Sequence, residues 1–274
     1  VVKEFKKFNI DYTFVESLEI KDFELKLKVN TRIIYIESPS NPLLQIIDLR
    51  KIADFSKNNN LISIIDNTFA SPINQTPIDF GIDIVLHSAT KYLGGHSDIL
   101  AGTVASSFSN IEKIIESSIN YGGNLSEYTV WLLERSIKTL SLRVNAQNEN
   151  AQKLAEFLNN NENIDLVFYP GLKSHPQHEL SKHQMNGYGG MLSFVLKNED
   201  KAADFTRSLK LIKPAMSLGG VESTISSPSL TSHSKLSKEQ RIKYGISDGL
   251  LRFSVGIEDY IDLENDLSQA FKIL

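Results

Sequence analysis

Cysteine is absent from all 274 residues, which excludes disulfides, thiolate zinc sites and a cysteine nucleophile. No apolar run approaches the roughly 18–20 residues that a membrane-spanning helix needs, so no membrane partner is expected. Neither sign of charge dominates. The 29 Lys and Arg against 33 Asp and Glu leave a formal net charge of −4, which gives no reason to expect nucleic acid as a partner. Two nucleotide signatures are also missing. Gly-x-x-x-x-Gly-Lys-Ser/Thr does not occur, and no Gly-x-Gly-x-x-Gly follows an apolar strand, so a nucleotide-binding module is disfavoured. The chain opens Val1-Val-Lys-Glu, with no Met, no hydrophobic leader and no basic one. What is present is a 41% hydrophobic composition, enough for a large core and for two domains.

Val1, Val2, Phe5 and Phe8 recur at helical spacing before a strand-like Tyr12-Thr-Phe-Val15. Beyond residue 30, apolar strands alternate with helical segments. Ile33-Ile-Tyr-Ile36 is followed by a helix over 48–58, with Asp48 as its N-cap and Asn58-Asn-Asn60 as its stop. Leu61-Ile-Ser-Ile-Ile65, Ile82-Asp-Ile-Val-Leu86 and Ala101-Gly-Thr-Val-Ala-Ser106 then read as strands. Such alternation predicts an α/β fold with a mainly parallel sheet and crossover helices. Residues 126–158 read as helical and bridge into a smaller α+β domain. Its strands are expected at 166–169, 191–195 and 250–255, with helices near 200–209 and over 260–274. The expected division is a large domain at 1–145 and a small one at 146–274.

Two motifs carry the chemistry. Asp66-Asn-Thr-Phe-Ala-Ser-Pro72 places a carboxylate at the end of one apolar strand. His87-Ser-Ala-Thr-Lys-Tyr-Leu-Gly-Gly-His-Ser-Asp98 places a lysine among hydroxyls and glycines just past another. Ligand sites in open α/β sheets lie at such strand ends. A pyridoxal 5′-phosphate (PLP) site needs these groups: an amine for the cofactor aldehyde, an acid for the ring nitrogen, and hydroxyls for the phosphate. Lys91 is the expected Schiff-base lysine, Asp66 the ring partner, and Ser88 and Thr90 the phosphate ligands. A solvated loop lysine and a turn aspartate are the alternative, but that leaves the coincidence of two strand ends unexplained.

Arg252 lies on a predicted strand, an unusual place for a guanidinium without an anionic partner. Its fork suits an amino-acid carboxylate. The histidines of His175-Pro-Gln-His178 and His183 invite a metal reading, yet Pro176 breaks the helical spacing that zinc pairs use. No metal is expected, and His96 reads as a loop or packed histidine.

"DNTFASP", "HSATKYLGGHSD", "ESPSNP" at 37–42 and "GLLRFSVGIED" at 249–259 resemble the Cys/Met-metabolism PLP enzymes, the trans-sulfuration group. The resemblance implies the aspartate-aminotransferase type I fold and a cytoplasmic homotetramer built from dimers with active sites at the subunit interface. It also implies that Asn41 hydrogen-bonds the cofactor's phenolic oxygen and lies beside the substrate. Arg252 and Ser217 hold the substrate carboxylate by the same implication, and residues 169–180 form a surface element of the small domain. Members of the group carry a further N-terminal portion with a glycine loop and a ring-stacking tyrosine. The expectation is therefore a fragment or the product of a truncated gene, and a non-catalytic remnant is the rival reading. The implied reaction makes or breaks a C–S bond at the γ-carbon, as in cystathionine γ-synthase or γ-lyase. Cystathionine β-lyase and methionine γ-lyase are the alternatives. Members dedicated to the γ position of cystathionine carry a glutamate where this chain has Met216.

Overall fold

The computed structural model describes residues 2–274, so Val1 lies outside the described residues. Two sheets organise the chain. The first contains β1 (Ile33–Glu37), β2 (Ile62–Asp66), β3 (Ile84–Ser88) and β4 (Gly102–Ser106), in that order. β1 to β3 run parallel and β4 returns antiparallel. β2 and β3 extend one and two residues past their expected ends, so Asp66 and Ser88 are terminal strand residues. The helix Leu49–Asn58 begins at Asp48, whose carboxylate accepts from Lys51 N. Its Leu49, Ile52 and Phe55 pack on Ile34, Ile36, Ile65 and Val85 of the sheet. Ile33, Tyr35, Ile62 and Val104 occupy exposed positions.

Three expectations need correction here. Residues 12–15 form no strand, because their alternation finds no neighbouring strand to complete a ladder. The helical stretch at 126–158 breaks at Lys138-Thr139 into Glu127–Ile137 and Leu140–Asn159. A helix over Phe108–Tyr121, absent from the sequence reading, precedes them.

The second sheet contains β5 (Ile164–Phe168), β6 (Met191–Leu196), β7 (Lys213–Pro214), β8 (Thr224–Ser226) and β9 (Leu250–Ser254). Their spatial order is β5-β6-β9-β8-β7. Leu192, Phe194, Leu251 and Phe253 meet Leu263 and Leu267 of the helix Tyr260–Phe271. The helix Leu140–Asn159 spans two cores. Leu140 and Val144 pack with Tyr92 and Leu93, whereas Ala151, Leu154 and Leu158 enter the core of the second sheet. Its amides fasten what its apolar face does not. Asn148 and Asn74 exchange hydrogen bonds of 2.7 and 3.0 Å, and Gln147 donates to Gly220 O at 2.7 Å.

The segment 169–180 is a surface element only in part, with Lys173, Ser174, Pro176 and Glu179 exposed. Tyr169, Leu172 and His175 are buried, and Gln184 just beyond it accepts from Leu49 N at 3.0 Å and donates to Ile47 O at 3.1 Å. Tyr169 and Leu172 belong to the core of the second sheet, whereas Gln184 reaches the residues that lead into the helix Leu49–Asn58.

Candidate active site

The C-terminal ends of β1, β2 and β3 carry Glu37, Asp66 and Ser88. Glu37 and Asp66 are direct register partners, so both carboxylates leave the same face of the sheet. Asp66 Oδ1 accepts from Thr68 N at 3.0 Å and from Thr68 Oγ1 at 2.5 Å. Thr68 Oγ1 in turn accepts from Ser88 N at 2.8 Å. One threonine therefore ties the ends of β2 and β3 together. Neither Thr68 nor Glu37 was singled out in the sequence, although an Asp followed two residues later by Thr is a turn signature. Desolvation first, then the Asp66 charge, push Glu37 up to about 7, although part of its side chain still meets solvent.

Lys91 follows on a tight turn. Its N–H donates to Ser88 O at 3.0 Å, and its carbonyl accepts from Gly95 N at 2.7 Å. Gly219, at φ +74, presses on this turn from the second sheet's side. A Cβ there would come within 2.9 Å of Tyr92 N and 3.2 Å of Lys91 Cβ, so only glycine fits. A cavity of about 260 Å³ opens beside the lysine, lined by Thr90, Lys91, Ser97, Asp98, Ser217 and Leu218. Partial burial and the Arg252 charge lower the Lys91 pKa below the ordinary lysine value, which favours the neutral, nucleophilic amine. Thr90 Oγ1 accepts from Ala101 N at 3.0 Å and donates to Ala101 O at 3.3 Å. It thereby holds the turn to the start of β4. The Ser88 hydroxyl has no hydrogen-bond partner among the described residues.

Arg252 sits in β9, opposite Ser193 and Ser226, and is 5% exposed. Nη1 donates to Asn41 Oδ1 at 3.3 Å and Nη2 to Met216 O at 2.9 Å. Its Nε is buried with no partner, and no carboxylate pairs with it among the described residues. The loop that carries Asn41 is held from both sides. Asn41 N donates to Glu37 Oε1 at 3.0 Å, and Pro42 O accepts from Ser193 Oγ at 2.7 Å.

The residues expected from the sequence thus fall into three connected groups. Lys91, Thr90 and Ser217 share the cavity, Arg252 holds Asn41, and Thr68 joins Asp66 to Ser88. The Met216 side chain is exposed and contributes its carbonyl alone to Arg252. His96 is an exposed loop residue whose Nδ1 meets Gly94 O at 2.7 Å. His175 and His178 turn to local backbone groups, Gln177 N and Pro170 O.

The model of the family "Cys/Met metabolism PLP-dependent enzyme" matches residues 1–272. The chain belongs to this family. It is a PLP-dependent trans-sulfuration enzyme with the corresponding α/β fold. It is 45% identical over 269 residues to cystathionine β-lyase of Lactococcus lactis subsp. cremoris, covering 97% of this chain and 70% of that one. It is also 45% identical over 273 residues to cystathionine γ-lyase of Bacillus subtilis, covering 99% and 72%. The solved cystathionine γ-lyase of Lactobacillus plantarum, complexed with L-serine, superposes with a TM-score of 0.95 at 41% identity. That match covers 98% of this chain and 71% of the other.

The donor set fits PLP. It offers an amine of lowered basicity, a carboxylate pair, an unengaged hydroxyl at Ser88 and an unpaired guanidinium. Those groups answer an aldehyde, a ring nitrogen, a phosphate and a substrate carboxylate.

Proposed function

We propose that this enzyme makes or breaks a C–S bond at the γ-carbon of a sulfur amino acid, as a cystathionine γ-synthase or γ-lyase does. Likeness to cystathionine γ-lyases supports the γ assignment, and the amino-acid chemistry rests on a lysine of lowered basicity near an arginine that has no counter-ion among the described residues. One can move protons, and the other can hold the carboxylate that orients them. When bound, PLP supplies an aldehyde for amines and a ring that draws off carbanion charge.

In this reading Lys91 holds the cofactor and removes the proton from the substrate's Cα. On the γ route Nζ must first hand that proton on to the conjugated system, and can then take a second, from Cβ, before the γ-substituent leaves. Asp66 keeps the proton on the ring nitrogen, with Thr68 fixing its carboxylate. Ser88 and Thr90 bind the phosphate, and the Thr90 hydroxyl exchanges its 3.3 Å bond to Ala101 O for a phosphate oxygen. Arg252 and Ser217 receive the substrate carboxylate, and Asn41 turns its amide to the phenolic oxygen and the substrate.

A second reading, β-elimination, has a specific observation in its favour. Met216 presents an exposed apolar side chain, so it offers a distal ammonium group no acceptor. The curated relatives carry both names. Assembly as a homotetramer, a cytoplasmic location and a division into units 1–145 and 146–274 belong to the same proposal. The division is supported by the two sheets, each with its own core. Among the described residues no helix is long and apolar enough to cross a membrane.

Product analysis tests the reaction. Cystathionine yielding cysteine and 2-oxobutyrate, or an activated homoserine ester with cysteine yielding cystathionine, supports the γ route. Pyruvate with homocysteine moves the assignment to β-elimination. Failure of PLP and borohydride to leave a pyridoxyl group on Lys91 favours a non-catalytic remnant.

A further inference from the structure

Arg143 has no part in the chemistry above, yet it is one of the most deeply placed charges in the molecule. It lies in the helix Leu140–Asn159, is 5% exposed and has no carboxylate partner among the described residues. Its donors go almost entirely to backbone. Nη1 donates to Tyr92 O at 2.7 Å, and Nη2 to Ser136 O at 2.9 Å and Leu93 O at 3.3 Å. Nε donates to Thr139 Oγ1 at 3.2 Å. A buried guanidinium without an anion is costly, and burial lowers its pKa. An apolar side chain of the same length would avoid that cost but leave three carbonyls without their donor.

Two of those carbonyls belong to the residues that immediately follow Lys91. The turn that starts at Ser88 O and closes with Gly95 N on Lys91 O leaves the Tyr92 and Leu93 carbonyls pointing out of its end, and Arg143 caps them. The cap is built into the turn's own sequence. Gly95 stands at φ +71, and a Cβ there would overlap the Arg143 guanidinium, so the arginine occupies the space that the glycine leaves. With Gly219 pressing on the opposite side, the Lys91 backbone is held between two elements.

We propose that Arg143 is a positioning residue: by capping the carbonyls of Tyr92 and Leu93 it fixes the turn that aims the Lys91 amine into its half-buried setting. This rests on the assignment of Lys91 above. The planar fork is required, because a single ammonium cannot span carbonyls from two segments.

The test uses the full chain with R143K and R143M. Each is titrated with PLP by absorbance across a pH series, reduced with borohydride, and mapped for the pyridoxyl group, with thermal unfolding run in parallel. Both variants should bind PLP more weakly, by roughly tenfold to a hundredfold, the usual cost of a misplaced reacting group. The pH midpoint of the Lys91 reaction should also rise toward that of an ordinary lysine, a change that lost stability alone does not produce. Unchanged affinity and midpoint in folded R143K overturn the proposal, whatever R143M does. If R143K loses labelling only in proportion to its unfolded fraction, Arg143 is merely structural and the proposal is likewise overturned. A wild-type chain labelled at a lysine other than Lys91 would instead sink the functional assignment, independently of Arg143.

Discussion

At the scale of single residues, the site separates into groups that react and groups that hold them. Lys91→Ala should remove the borohydride-fixed pyridoxyl group and lower turnover by about a thousandfold or more, since a positioned base contributes about that much. Peptide mapping that still finds the adduct in this variant would name another lysine. Arg252→Lys keeps the charge and loses the fork, so KM for the amino acid should rise roughly tenfold to a hundredfold. Affinity for PLP should change little, and a KM that stays put would remove Arg252 from substrate binding. The residues expected at the site were legible because chemistry restricts them to few types and because two motifs flank apolar strands. The supports were not legible. Thr68 and Glu37 act through hydrogen bonds that exist only once β1, β2 and β3 lie side by side. Arg143 lies 52 residues from Lys91 in sequence, in a helix that the sequence marks only as a bridge between domains.

At the scale of elements, Asp48 offers a clean test of local logic. Its carboxylate caps the helix Leu49–Asn58 through Lys51 N at 3.0 Å. Asp48→Ala should therefore cost about 1 kcal/mol of stability, measured by urea unfolding, and leave turnover intact. The strands of the first sheet were readable because each is an isolated apolar run between turn residues, with few competing patterns. The helix Phe108–Tyr121 was missed although Ile111, Ile114, Ile115 and Ile119 recur at helical spacing, and in the structure it buries none of its residues. β7 and β8, two and three residues long, are too short to leave a pattern. They form because β9 offers an open ladder. At the break at Lys138-Thr139 the Thr139 hydroxyl donates to Ser136 O at 3.2 Å, a local side-chain bond that competes with continuation of the helix.

At the scale of the whole molecule, acid should loosen the fold between about pH 6.5 and 4. Burial lowers His87 and His175 from 6.5 to about 4. Over that window the unfolded chain binds two protons that the folded chain refuses. Each costs about 1.4 kcal/mol of stability per pH unit as the pH falls. Glu37 acts in the opposite sense: with its pKa raised to about 7, it binds a proton in the folded state that the unfolded carboxylate has released above about 4.5. Solvent reaches it, so it offsets less than one proton. The net expectation is a loss of about 1.4–2.8 kcal/mol per pH unit on acidification, read from urea midpoints between pH 7.5 and 4.5. Glu37→Gln should steepen that slope, and a flat profile in the wild type would contradict the burial of both histidines.

The helix Leu140–Asn159 has one further consequence. Its first turns belong to the core around Tyr92 and Leu93, and its later turns to the core of the second sheet. Neither of these two cores can melt while the other keeps this helix whole, because fraying at either end strips apolar partners from the survivor. Heat should therefore find one cooperative unit rather than two. Calorimetry would show a single peak whose van't Hoff enthalpy matches the heat absorbed. A glycine pair placed at Gln147 and Asn148, between the two halves of the helix, should split that peak in two.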